Sequence, residues 1–221
     1  MKHHFNEKEI RKKLDELGDF YHNIELPYGI ETKPGSVSPA RGQNWEKILK
    51  VIPQDLTGKT VLDLGCNAGA FSFELAKRNA SKVVGVEFDK KYYDQAIYIN
   101  KILDLNVIFH LSSVENFLKD CNQFDYIVCV GLLYHVHNPL SIAKAIYQKT
   151  KIKAIIETYG TKPHLRNLEE AILELPYAID ENHAVTTMNM VALKHIFTRE
   201  GFRFESELFE GGRLGVSFLK N

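Results

Sequence analysis

Two glycines and two carboxylates, set close together along the chain, are the residues best spaced for chemistry. Asp63-Leu64-Gly65-Cys66-Asn67-Ala68-Gly69 ends one apolar run, and Glu87 closes a second, Val83 to Val86. A glycine-bearing turn at the carboxyl end of a parallel strand lets a ligand approach the backbone, and the helix that follows offers its N-terminal amides. An acidic residue at the end of the next strand is placed to accept hydrogen bonds from both hydroxyls of a ribose. In a dinucleotide fingerprint the middle position would be glycine, because a pyrophosphate must come very close to the backbone there. Here it is Asn67. The pattern points to a nucleoside ligand without that phosphate requirement.

A second group follows the apolar run Phe124 to Val130. Gly131-Leu132-Leu133-Tyr134-His135-Val136-His137-Asn138-Pro139-Leu140 carries a phenol and two imidazoles. His135 and His137 are candidate general bases; they point the same way if the segment is extended and diverge if it turns. Glu157 ends another apolar run, where open α/β sheets keep their ligands, and could orient a substrate amine or a histidine, or cap a helix. Arg213 opens the last apolar run. Cys66, Cys121 and Cys129 lack metal-ligand spacing and read as packing residues in a reducing compartment. No metal is expected.

The elements that must position these residues alternate between strand and helix. Thr60 to Leu64 is a strand, Phe71 to Arg78 a helix, and Val83 to Glu87 a second strand. Lys90 to Leu103 forms a helix bearing Tyr93, Ala96, Ile97 and Ile102. Asn106 to Leu111 is a third strand, and in an adenosine-binding fold Ser113 and Val114 just beyond it would meet the adenine amino group. Phe124 to Val130 is apolar on both faces, as a central parallel strand should be. Met190 to Glu200 is a helix closed by Gly201. Arg203 to Leu208 and Leu214 to Phe218 form a terminal hairpin around Glu210-Gly211-Gly212. Asn6 caps an amphipathic helix to Leu17, and Trp45 to Val51 leads into the first strand. Between them Tyr21 to Gly35 reads as an irregular aromatic cap over the ligand. Pro163 to Asp180 holds a short helix, Asn167 to Leu175, in a segment expected at the mouth of the pocket.

Composition bounds the rest. With 221 residues the chain is long enough for one core plus a small accessory element. The boundaries read as a cap over 1–50 and a core over 51–221, with an insertion at about 160–187. Lys+Arg and Asp+Glu both total 28, so nothing global attracts a polyanion such as tRNA. The start lacks an apolar leader, and the longest clean apolar run, Ile127 to Leu133, is too short to span a bilayer. The expected protein is cytoplasmic and soluble, a monomer or homodimer with no membrane partner.

VLDLGCNAG followed by VVGVEFD resembles the nucleoside-binding half of class I S-adenosylmethionine-dependent methyltransferases. GLLYHVHNPL, with ETY ending the next strand, is similar to the tRNA wobble-uridine (5-hydroxyuridine) carboxymethyl- and methyltransferases and their small-molecule-acting relatives. YHNIELPYGIETKPG and MNMVALKHIFTREGF carry the same resemblance, which runs from Tyr21 to the C-terminus and matches poorly from Gly160 to Val185. It implies an α/β, Rossmann-like fold with a seven-stranded, mostly parallel sheet in the order 3-2-1-4-5-7-6, strand 7 antiparallel, under an N-terminal helical cap. The implied cofactor is S-adenosyl-L-methionine. Asp63, Gly65, Asn67, Gly69, Glu87, Phe88, Ser113, Val114, Gly131 and Tyr134 would contact it, with Tyr134 near the sulfonium. Tyr134, His135 and Glu157 would serve catalysis. Tyr21, His22, Asn138, Tyr159, Tyr177 and Arg213 would meet the substrate, and in relatives with a carboxylated donor the matching arginine pairs with the added carboxylate. The expected reaction is methyl transfer to a small polar metabolite. Its rivals are tRNA wobble-uridine modification, intramolecular attack on the donor's amino acid tail with release of methylthioadenosine, and a nucleoside-binding module without turnover.

Overall fold

The computed structural model describes residues 5–33, 43–160, 177–180, 183–186, 189–210 and 213–221. The main sheet has seven strands: β10 (Phe202–Glu210), β11 (Arg213–Lys220), β7 (Thr150–Tyr159), β6 (Phe124–Val130), β3 (Thr60–Leu64), β4 (Lys82–Glu87) and β5 (Ile108–Leu111), in that order. Counting only these strands along the chain, this is the expected 3-2-1-4-5-7-6 order read from the other edge. β11 runs antiparallel to both β7 and β10. The chain divides into two compact units, 1–114 and 115–221.

In the first unit α1 (Glu7–Leu17) starts at a capping box: the Asn6 side-chain Oδ1 accepts from the Glu9 backbone amide at 2.9 Å, and the Glu9 carboxylate accepts from the Asn6 backbone amide at 3.0 Å. Its buried residue is Ile10, and its charged residues face outward. Gln95 of α4 (Lys90–Leu103) donates to the carbonyls of Leu17 and Asp19, which anchors the end of α1. The following segment, expected to be irregular, contains a small hairpin of β1 (Glu25–Leu26) and β2 (Ile30–Glu31) around a 3-10 turn at Pro27–Gly29. Phe20, Ile24, Leu26 and Ile30 bury their side chains. The Thr32 hydroxyl accepts from the Ile24 amide and donates to the His22 carbonyl, closing the hairpin. Two-residue strands are too short to leave a period in the sequence. The Pro34-Gly35 end of the expected cap lies outside the described residues.

α2 (Gln43–Lys50) precedes β3, and Arg78 holds its end: its guanidinium donates to the carbonyls of Leu49, Ile52 and Pro53. α3 (Ala70–Lys77) follows β3 with Phe71, Phe73 and Leu75 buried. β5 begins at Ile108, two residues later than its apolar run, because Asp104 and Asn106 take left-handed backbone angles. The Asn100 side chain then pairs both ways with the Val107 backbone.

In the second unit α5 (Val114–Asp120) leads into β6, and α6 (Pro139–Lys149) connects β6 to β7. The sequence reading had not singled out α6. The expected helix at 167–175 lies outside the described residues. β8 (Tyr177–Asp180) and β9 (His183–Thr186) pair as an antiparallel ribbon. α7 (Met190–Arg199) packs Phe197 against Phe218 of β11, ring centroids 5.0 Å apart and nearly parallel, with Phe202 beside both. Gly201 takes φ +110 beyond this helix, as expected of a helix-ending glycine. No helix among the described residues is long and apolar enough to cross a membrane.

Candidate functional site

The turn after β3 is closed by backbone and side chain together. The amides of Gly65 and Cys66 both donate to the Val86 carbonyl, at 2.9 and 3.0 Å, tying the turn to β4. Gly65, Asn67 and Gly69 all have positive φ, at 71°, 51° and 87°. At Gly69 the constraint is also steric: a Cβ would stand 2.8 Å from the Phe109 ring and 2.9 Å from the Phe73 ring. Gly85 is held the same way, its Cβ position 2.6 Å from Phe109. The sequence reading missed Phe109. A glycine in the middle of a strand was the available signal that a neighbour comes close.

Glu87 is the organiser of this turn. Its Oε2 accepts from the Asn67 amide at 2.8 Å, and its Oε1 accepts from the amides of Phe88 and Asp89, each at 2.8 Å. A carboxylate has about four lone-pair sites, so three amides leave about one, on Oε2, for a ligand hydroxyl. Asp63 lies buried below, with Oδ2 accepting from the Ser72 hydroxyl at 2.6 Å. Burial is the main force raising the Asp63 carboxyl, to about 7, and the nearby Glu87 charge adds to it against the Ser72 bond. Burial also raises Glu87, against its three amides. Among the described residues neither carboxylate is in an ion pair. A cationic ligand would offset both effects, so the donor set suits a sulfonium or ammonium group carried by a nucleoside. The Cys66 thiol, buried beside both acids, is pushed well above its ordinary value and is no nucleophile.

Phe88 is 77% exposed at the tip of this turn, and Ser112 donates its amide to the Glu87 carbonyl at 2.9 Å. Val114 is buried and Ser113 half-buried immediately beyond. The adenine candidates are thus next to Glu87. In the preceding segment Tyr21 packs edge-on against His22, ring centroids 4.9 Å apart. The His22 Nδ1 is buried with no partner among the described residues. Burial, then Lys33, lowers that imidazole to about 4, so it is neutral at pH 7.

A second cluster belongs to the 115–221 unit. The Gly131 amide donates to both the carbonyl and Oε2 of Glu157, at 3.0 and 2.9 Å. Arg213 Nη1 lies 3.4 Å from the same Oε2 and 3.4 Å from the Tyr134 phenol oxygen. The guanidinium carbon is 4.6 Å from the Tyr159 ring centroid and 5.4 Å from that of Tyr134. The two rings meet edge to face at 5.8 Å. Register explains the gathering: Arg213 pairs with Tyr159, and Gly215, two residues on, pairs with Glu157. Burial raises the Glu157 carboxyl, with Arg213 and the Gly131 amide pulling it back.

The histidines do not join this cluster in the same way. Leu133–His135 forms a 3-10 turn and Val136 is extended, so both imidazoles end on exposed residues, with the His135 ring 4.1 Å from the Tyr134 ring. Asn138, expected at the substrate, caps α6: its side-chain oxygen accepts from the Ser141 amide. Tyr177 starts β8 opposite Thr186, and β9 runs alongside the Leu133–His135 turn. Among the described residues no group of three or more His, Cys, Asp or Glu could hold a metal.

Comparison with known proteins adds to this geometry. Residues 39–207 match the model of a methyltransferase domain family. A tRNA U34 carboxymethyltransferase of Campylobacter lari is 30% identical over 109 residues, covering 49% of this chain and 38% of that protein. Its counterpart from Campylobacter hominis is 35% identical over 92 residues, 42% of this chain and 32% of the relative. The chain therefore spans well under half the length of these curated relatives. The N-terminal domain of EvdMO1, solved in the presence of SAH and D-fucose, superposes with a TM-score of 0.73 at 19% identity, covering 100% of this chain and 99% of that one. A putative S-adenosylmethionine-dependent methyltransferase from Listeria monocytogenes gives 0.61 at 17% identity, over 80% of this chain and 97% of its own. At these identities the likeness is one of fold.

Proposed function

This chain belongs to the methyltransferase domain family, and on that premise we propose that it transfers a methyl group from S-adenosylmethionine to a small polar metabolite. The observation that carries the reading is Glu87, whose carboxylate closes the glycine turn through three amides and keeps an acceptor site for a ribose hydroxyl. The donor, when bound, supplies an electrophilic methyl group on a cationic sulfur. Glu87 fixes the ribose, and the glycine turn admits the chain beyond it. Asp63 and Glu87 together favour a cation. Ser113 and Val114 are the proposed contacts for adenine, with Phe88 next to Glu87 along the chain. The Tyr134 phenol, which accepts from Arg213, is the group proposed for the sulfonium, since its oxygen favours positive charge. His135, exposed beside Tyr134, is the base available to an acceptor hydroxyl or amine. Tyr159, exposed beside Arg213, is the aromatic side chain proposed to meet the acceptor.

A sugar-like acceptor is favoured by the fold neighbour solved with D-fucose and by the chain's balanced charge. The second reading, carboxymethyl transfer to a tRNA uridine, is favoured by the names of the curated relatives and by Arg213. Against it, Glu157 already stands 3.4 Å from that guanidinium, so a donor carboxylate would meet a charge that is largely matched. The test is incubation with S-adenosylmethionine and a panel of hydroxylated and amino metabolites, or with a carboxylated sulfonium donor and tRNA carrying 5-hydroxyuridine, followed by mass analysis of the nucleoside product. S-adenosylhomocysteine formed only with a metabolite supports the proposal. Its formation with tRNA alone favours the second reading, and methylthioadenosine would show attack on the amino acid tail instead.

A further inference from the structure

We propose that Glu157 sets the charge of the Tyr134 cluster: by pairing with Arg213 it keeps the surroundings of the phenol neutral, and so able to accept a cationic donor. The proposal rests on the reading that S-adenosylmethionine is the donor and that its sulfonium end meets Tyr134. An arginine is an odd neighbour for such a group. Its guanidinium carbon lies 5.4 Å from the Tyr134 ring centroid, with one nitrogen on the phenol oxygen. A sulfonium that meets the phenol would therefore come near this guanidinium, and an unmatched positive charge in a partly buried place repels a second cation appreciably. Arg213 is mostly buried, its side chain 20% exposed, so water screens it poorly. Glu157, 4% exposed, supplies the balancing charge at 3.4 Å. The same carboxylate holds the Gly131 amide, at the point where φ +70 turns β6 toward the Leu133–His135 segment. Glu157 therefore fixes both the backbone leading to Tyr134 and the charge beside its phenol. It is a positioning residue, acting through Arg213 and Gly131.

This role separates charge from shape, and the two forms of the nucleoside read it directly. S-adenosylmethionine carries a sulfonium; S-adenosylhomocysteine has the same skeleton with a neutral thioether. Calorimetric affinities for both should be measured on wild type, Glu157→Gln and Arg213→Gln. Glu157→Gln keeps the size of the side chain and removes the charge. It should weaken S-adenosylmethionine about tenfold more than S-adenosylhomocysteine. Arg213→Gln removes the positive charge and leaves the negative one, so the ratio should move the other way, in favour of the sulfonium. A merely structural role for Glu157 would weaken both ligands alike. Equal losses in Glu157→Gln, or an unmoved ratio in Arg213→Gln should the first variant not fold, would overturn the inference. If the wild type binds neither ligand, the cofactor reading itself fails.

Discussion

Replacing Glu87 with alanine removes an acceptor that serves the protein and the ligand at once. Three amides donate to it at 2.8 Å, from Asn67, Phe88 and Asp89. The Phe88 and Asp89 amides are exposed, so water takes over their bonds at little cost, whereas the Asn67 bond is partly buried. Losing an acceptor for one partly buried amide costs about 1–3 kcal/mol. Relief of the raised carboxyl, and of its repulsion toward Asp63, offsets part of that. The net loss of folding stability is therefore small, about 1 kcal/mol. The ligand's loss is larger. One hydrogen bond from a ribose hydroxyl to a charged acceptor is worth about 1.5–3 kcal/mol, or roughly 10- to 150-fold in affinity. Glu87→Gln should behave nearly as badly. If its oxygen keeps the Phe88 and Asp89 bonds, its amide nitrogen faces the Asn67 N–H, donor against donor. Urea unfolding and titration calorimetry with S-adenosylhomocysteine measure the two quantities separately. A folded Glu87→Ala protein with wild-type affinity would refute the placement of a ribose at this carboxylate.

Three further perturbations test other parts of the structure. Gly69→Ala puts a Cβ 2.8 Å from the Phe109 ring at φ +87, so left-handed strain and overpacking should together cost about 2–5 kcal/mol in urea unfolding; a loss under 1 kcal/mol would show that the rings yield freely. Asp63 has a folded pKa raised from 3.8 to about 7, so the folded ligand-free protein binds the extra proton between those values. Its stability should therefore fall as pH rises from about 4 to about 7 and level off above, with a limit of about 4 kcal/mol from this group. Asp63→Asn keeps an acceptor for Ser72 and should flatten that fall; an unchanged pH profile would mean the carboxyl ionises freely. Tyr134→Phe removes the hydroxyl that accepts from Arg213 but keeps the ring. Cofactor affinity should stay within a few-fold while kcat drops about tenfold, because an interaction made mainly in the transition state shows in rate; unchanged values of both would make Tyr134 a packing residue.

The local parts of this protein are legible in its sequence because their causes are local. Thr60 to Leu64 and Phe124 to Val130 are strands over the limits that their apolar runs set, since a central strand must be apolar throughout. Gly65 and Gly69 mark positive backbone angles, and Glu87 ends β4 as the acidic residue of a nucleoside turn. Asn138-Pro139 likewise has the form of a helix start, and the Asn138 side chain caps α6. Tertiary structure alone decided the rest. Arg213 reaches Tyr134 across 79 residues and Glu157 across 56, an encounter that depends on the register of β11 against β7. Phe109 makes two glycines obligatory from a strand more than twenty residues away in sequence from either. The state of Asp63 is a further case: the sequence placed it in the turn, but only its burial beside Glu87, with Ser72 as its donor, raises it toward neutrality. Spacing along a chain reports which residues share a turn or a face. Burial and charge pairing arise from residues that folding brings together, and these set what the site can bind.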